Sequence, residues 1–287
     1  MSTQAVIMAK FDTYLQFCLT SAFIEVFDYC ITFSTEITWT WNRPWNFVRV
    51  QLSLARYLPF IIVPMTIYDS LNPGFVANCW PLVETISWLI NIVIVPAENL
   101  LLVRTWVLWR RKKAVLVGLL VPALGSVIVA VIMNVIAVRA TIYKHRPPSN
   151  SSCSEAFRPS SIYVWSFLGV VIFELIILLA TVFQISHYDR QSRIYVTIRN
   201  DVVYILCILG ISVANAIIVK TRGGNAEPVI ILQVVIHSVL ASRLLFSLRQ
   251  IMQQQNTLPS GVSIAQSSAN VDVLPIVFVT SPEGSVI

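Results

Sequence analysis

Apolar residues in this chain fall into seven unbroken runs, at about Tyr14–Phe33, Phe47–Tyr68, Leu82–Trp109, Ala114–Val138, Ser161–Phe183, Asp201–Val219 and Pro228–Ser247. Each is close to the ~20 residues that a helix needs to cross a ~30 Å hydrocarbon core at 1.5 Å rise per residue. Hydrocarbon offers a backbone amide no partner, so a spanning segment must satisfy itself as a helix or close into a barrel. Barrel strands alternate polar and apolar residues, and these runs do not. The pattern predicts an all-α polytopic membrane protein, a seven-transmembrane helix bundle. Residues 1–13 read as a short N-terminus outside the membrane and 14–249 as the helical domain. Residues 250–287, which begin with a glutamine run and turn rich in Ser, Asn and Pro, read as a disordered cytoplasmic tail. The apolar patch Val273–Val279 in that tail is too short to span.

Composition sharpens this picture. The chain is 56% hydrophobic and 12% charged, against a charged fraction of ~25% in ordinary soluble domains. The net charge of +6 is therefore weighed as loop charge rather than as a nucleic-acid surface. With the N-terminus outside, most basic residues fall on the inner side, and the run Arg110-Arg111-Lys112-Lys113 occupies a very short inner loop, where positive charge weighs most in setting orientation. The loop after the fourth run, with Arg139, Lys144, Arg146 and Arg158, runs against that trend. No removable signal peptide is read, and the first helix serves as the insertion signal. The expected location is the plasma membrane or another membrane of the secretory pathway.

Cysteines agree with that orientation. Cys18, Cys30 and Cys207 fall inside helices and read as small buried hydrophobes. Cys79 and Cys153 both fall on the outer side, where a disulfide between them is chemically allowed. Asn150-Ser151-Ser152, in the same loop as Cys153, is an acceptor pattern for N-glycosylation.

Ionisable groups in hydrocarbon are costly and mark functional candidates. Two sets emerge. Counting about 1.5 Å per residue from the inner helix ends, Asp28, Arg104 and Arg243 lie about 6–8 Å deep and Glu25 and Arg56 about 12–14 Å. Glu25 and Asp28 share a face of the first helix. These five form a candidate inner charge network: either plain charge pairing and snorkelling of the arginines, or a two-state lock of the cytoplasmic face. Near mid-membrane lie Glu98, Glu174 and His237, a candidate polar site that either lines a ligand cavity or relays protons, or else satisfies backbone freed at kinks. Pro59, Pro64, Pro96 and Pro122 each remove a donor inside a span, so the carbonyls they free need neighbours.

Absent patterns narrow the function. The three histidines are dispersed along the chain, so no zinc-type cluster and no metal site is expected. There is no phosphate-binding Gly-rich motif and no Gly-x-Ser-x-Gly elbow, and no cofactor or enzymatic activity is expected. The seventh run has no lysine for a retinal Schiff base. The leading expectation is a receptor-like protein with a small-molecule ligand in an outer or mid-membrane cavity and a cytoplasmic signalling partner, the lipid bilayer being its constant partner and nucleic acid none. The alternatives are a transporter or proton-coupled channel, and a non-catalytic membrane scaffold. The layout is similar to that of G-protein-coupled receptors, although the seventh run lacks their Asn-Pro-x-x-Tyr pattern.

One stretch carries a resemblance. Phe27-Asp28-Tyr29, Thr32, Glu36, Trp39, Trp41, Arg43-Pro44-Trp45 and Arg56-Tyr57-Leu58-Pro59, within about residues 23–68, resemble the N-terminal signature of a fungal family of basidiomycete seven-helix membrane proteins that carry a domain of unknown function. The usual pattern there is Tyr-Asp-Tyr, Thr before an acidic residue, Trp-Lys-Arg-x-Trp and Asn-Arg-Tyr. This chain has Phe27 and Ala55 at two of those places. Arg104-Thr105-Trp106 and Ser242-Arg243-Leu244 look similar as well. The resemblance implies seven-helix topology and a fungal membrane, and no chemistry.

Overall fold

The computed structural model describes residues 3–41, 45–71, 79–144, 163–186, 193–222 and 227–257. Among these there is no strand. The helices are α1 (Thr3–Glu36, running on into a π-helical turn at Ile37–Trp41), α2 (Phe47–Tyr57), α3 (Pro59–Leu71), α4 (Cys79–Leu108), α5 (Lys113–Lys144), α6 (Tyr163–Ile185), α7 (Arg193–Arg222) and α8 (Glu227–Thr257). Seven segments are long and apolar enough to cross a membrane: Leu15–Glu36, Phe47–Tyr68, Glu84–Leu108, Lys113–Arg139, Tyr163–Ile185, Arg199–Thr221 and Val229–Ser247. The fold is the expected all-α multi-pass bundle, with α2 and α3 together making the second span.

Two boundaries differ from the sequence expectation. α1 already begins at Thr3, inside the stretch read as a short terminus, because no Gly or Pro interrupts the chain before Pro44. α8 runs to Thr257, eight residues into the stretch read as a tail; glutamine is a good helix former, and the helix stops two residues before Pro259. Residues 258–287, with the Val273–Val279 patch, lie outside the described residues.

Neighbouring spans pack in chain order and the ring closes where α8 lies along α1. α8 also packs against α4, so the third and seventh spans form the centre. Burial agrees: 67% of the most apolar window of the seventh span is buried, against 11% for the fourth. Polar and charged side chains are buried among the apolar core, while many large apolar side chains face outward. Arg56, Glu174, His237, Gln233, Ser212 and Asn215 are buried, while Phe23, Val121, Leu179 and Ile217 are exposed. That distribution suits hydrocarbon as the surrounding solvent.

The two largest of four apolar clusters among the described residues hold most of the helices. Ile62, Val63, Val93, Ile231, Val234 and Val235 join α3, α4 and α8. Leu101, Leu119, Phe173, Ile177, Ile205 and Leu244 join α4, α5, α6, α7 and α8 toward the end that carries Arg110–Lys113, here termed the basic end. At that end α4 closes on Arg110 and Arg111, both left-handed at φ 54° and 57°, and the chain reverses into α5 within the turn. Arg111 lies over the Trp106 ring at 6.0 Å.

Pro59 breaks the second span at Leu58, whereas Pro64, Pro96 and Pro122 sit inside continuous helices. The acceptor that Pro59 leaves without an amide is the Ala55 carbonyl, four residues back. Ser238 of α8 donates its hydroxyl to it at 2.7 Å.

Candidate functional site

Glu98 of α4, Glu174 of α6 and His237 of α8 meet in the bundle centre. Their exposures are 8%, 0% and 1%. His237 Nε2 faces Glu98 Oε1 at 3.0 Å and Nδ1 faces Glu174 Oε1 at 3.8 Å. One potential ligand atom from each lies within 4.8 Å of the other two. The three residues stand far apart in sequence, yet each sits roughly 15 Å from the basic end of its span at 1.5 Å per residue. The fold thus brings together the three groups that the sequence places near mid-membrane, one histidine between two carboxylates, although the dispersal of the three histidines predicts no zinc-type cluster.

The trio continues into uncharged polar groups. Ser212 donates to Glu174 Oε1 at 2.7 Å and Gln233 Nε2 donates to Ser212 Oγ at 2.9 Å. Asn215 donates to Gln233 Oε1 and, at 3.3 Å, to the Val229 carbonyl. Ser212 and Asn215 are three apart on α7, and Gln233 and His237 four apart on α8, so each pair shares a helix face. These three uncharged residues were not singled out in the sequence; their signal is helical spacing of polar residues in otherwise apolar spans.

Nearer the basic end, Asp28 of α1 accepts from Arg56 Nη1 at 3.4 Å and from Arg243 Nε at 2.5 Å. It therefore ties the first, second and seventh spans together. Arg56, only 2% exposed, also reaches Glu36 Oε2 with Nε at 2.8 Å and donates Nη2–H to Thr32. Glu36 accepts in turn from Tyr57 at 2.5 Å. The Arg56 guanidinium lies 5.3 Å from the centre of the Tyr29 ring and 5.7 Å from that of Phe246. The charges balance within the group, with Asp28 and Glu36 against Arg56 and Arg243.

The expected inner network divides. Arg104 does not join Asp28; it pairs with Asp201 of α7, side chains 7% and 6% exposed. Glu25 forms no ion pair among the described residues. It is 4% exposed, its Oε2 has no hydrogen-bond partner, and it lines an apolar groove of about 340 Å³ with Ala22, Pro59, Phe60, Pro64 and Tyr68. That groove lies between α1 and α3, away from the mid-membrane trio.

Cysteine placement needs one correction. Cys18 is buried, but Cys30 and Cys207 are exposed on the outside of the bundle. The side chain of Cys79, and all of Cys153 and Asn150, lie outside the described residues.

A family model described as a family of unknown function, DUF6533, matches residues 16–61. That stretch contains Glu25, Asp28, Thr32, Glu36, Arg56 and Tyr57, the α1 and α2 side of the charge group. No curated protein and no solved structure matches the chain.

Proposed function

We propose that this multi-pass membrane protein is receptor-like and non-catalytic: a membrane-borne ligand binds beside α1 and alters how the first, second and seventh spans meet at the basic end. The observation that carries this is the three-way tie at Asp28. One carboxylate holds arginines from two other spans, and Glu25, one helical turn away, faces the groove with an oxygen unpartnered. A buried ionic tie suits a two-state device, because breaking it is costly and requires helices to rearrange.

The groove suits one class of ligand. Its wall is apolar except for Glu25, and Pro64 withholds the amide that would otherwise bond the Phe60 carbonyl. An amphiphile dissolved in the bilayer, with a hydrocarbon body and a hydroxyl or ammonium head, would supply the donor. α8 carries Arg243 of the tie and His237 of the trio, so movement of α8 would be felt at both levels. The basic loops would then present the altered face to a cytoplasmic signalling partner, with the N-terminus outside. The resemblance of the first two spans favours a fungal membrane of the secretory pathway.

Spin labels at Thr38 and Ser247, in protein reconstituted into lipid nanodiscs, test the device. Asp28→Asn is expected to widen the separation of the two labels relative to wild type. An unchanged distance would refute the lock. A proton-coupled transporter is the second reading, favoured by the chain from Glu98 through His237, Glu174 and Ser212 to Gln233. Proton uptake into proteoliposomes, lost in Glu98→Gln, would establish transport and displace the receptor.

A further inference from the structure

We propose that Glu98, Glu174 and His237 form a binding site for one divalent transition-metal ion of the zinc type. The inference is independent of the receptor reading, since it concerns a different layer of the bundle.

Charge is the first argument. Two carboxylates and one imidazole share a site buried in the centre of the bundle. The nearest arginines along the same helices are committed elsewhere, Arg104 to Asp201 and Arg243 to Asp28. A protonated histidine offsets only one carboxylate. A divalent ion with two carboxylates and a neutral imidazole has no net charge, the state that hydrocarbon penalises least.

Geometry is the second. The three ligand atoms lie within 4.8 Å of one another, so small inward adjustments bring them to the ~2.0–2.2 Å of metal bonds to histidine nitrogen and carboxylate oxygen. Both oxygens of Glu98, Oε2 of Glu174 and Nε2 of His237 have no partner in hydrogen-bonding geometry. Unpartnered polar atoms inside a membrane bundle are expensive, and these four belong to the three residues of one buried cluster.

The surrounding groups are the third. Ser212 donates to Glu174, Gln233 donates to Ser212, and Asn215 donates to Gln233. Such chains orient ligating carboxylates and raise affinity. A mixed set of imidazole and carboxylates suits zinc, ferrous iron or manganese, and excludes the soft-ligand preference of Cu(I). Three protein donors leave a fourth position open for water or a small ligand.

The test uses the full chain in nanodiscs, stripped with EDTA, dialysed against zinc and then against metal-free buffer. Elemental analysis is expected to find about one zinc per chain. The unfolding temperature should rise with added zinc, as mass action requires of an ion that binds only the folded state. Cobalt(II) in place of zinc should give visible d–d absorption of a nitrogen–oxygen site. Glu98→Gln, Glu174→Gln and His237→Ala should each abolish all three signals, and Ser212→Ala should weaken binding by about 10–100-fold. Wild-type protein that retains no zinc, or that shows no zinc-dependent stabilisation, overturns the proposal whether or not the variants fold. Zinc that persists equally in Glu98→Gln and Glu174→Gln would be bound at cysteines or other histidines, and overturns it as well.

Discussion

Ser238 donates its hydroxyl to the Ala55 carbonyl at 2.7 Å, and that carbonyl is the one Pro59 deprives of its helical amide. A proline break in one span is thus answered by a side chain of another. Ser238→Ala should cost roughly 0.5–1.5 kcal/mol in equilibrium unfolding in mixed micelles, the range for a single hydrogen bond. In a Pro59→Ala background the helix supplies its own amide to Ala55. The serine should then contribute close to nothing, and the double-mutant cycle should return a coupling of order 1 kcal/mol. Additive costs would show that the two residues act separately.

The tie at Asp28 ranks its own members. Asp28 and Arg56 are buried, whereas the Arg243 side chain is 37% exposed. Asp28→Ala leaves Arg56 with one fewer counter-charge and should cost about 3–5 kcal/mol. Arg243→Ala should cost no more than about 1 kcal/mol, because the arginine is the more exposed partner and Arg56 still faces Asp28 without it. Arg56→Lys should fall between the two, since an ammonium cannot reach Asp28, Glu36 and Thr32 at once as the guanidinium fork does. Equal costs for all three would mean that the tie contributes nothing specific.

Arg104 and Asp201 form a separate buried pair between α4 and α7. Arg104→Met alone or Asp201→Leu alone strands one charge and should cost about 3–5 kcal/mol, whereas the double variant should be neutral or more stable than wild type. Tryptophan fluorescence during unfolding reports all three, because Trp106 and Trp109 lie on the same stretch of α4 and in the turn after it. A double variant as unstable as the singles would show that the pair itself drives the packing.

Matched depth made part of this site legible in the sequence. Glu98, Glu174 and His237 lie nearly equal numbers of residues from the same ends of their spans, so helices of ordinary rise bring them level. Helix ends were less legible, and the misread partners follow from them. A sixth span that begins at Asp201 puts that residue at a helix end. α7 actually begins at Arg193, two turns earlier, which carries Asp201 into the bundle to meet Arg104. A first span that ends at Phe33 stops short of Glu36. α1 runs through it, and Glu36 receives Arg56 and Tyr57. Ser212, Asn215 and Gln233 carry no charge, so a search for ionisable groups passes over the residues that orient Glu174. Which side of α1 faces outward also depends on packing, and this separates Glu25, in its groove, from Asp28.

Orientation is the remaining test. Arg110 and Arg111 are exposed in the turn between α4 and α5, followed by Lys112 and Lys113. Four cations in so short a turn resist translocation, so this turn should remain cytoplasmic. In a Cys79→Ser/Cys153→Ser background, which removes the two native cysteines expected on the outer side, Lys112→Cys should react with a membrane-impermeant maleimide only after the cells are permeabilised. The native Cys30 and Cys207 give little background, for their thiols open onto lipid and an aqueous reagent needs a hydrated thiolate. The loop with Asn150 then lies on the opposite side, where the acceptor pattern can be modified. An endoglycosidase should lower the apparent mass of wild-type protein and leave Asn150→Gln unchanged. Labelling of Lys112→Cys in intact cells would invert the bundle, placing its basic end, and the face proposed to meet a signalling partner, on the outside.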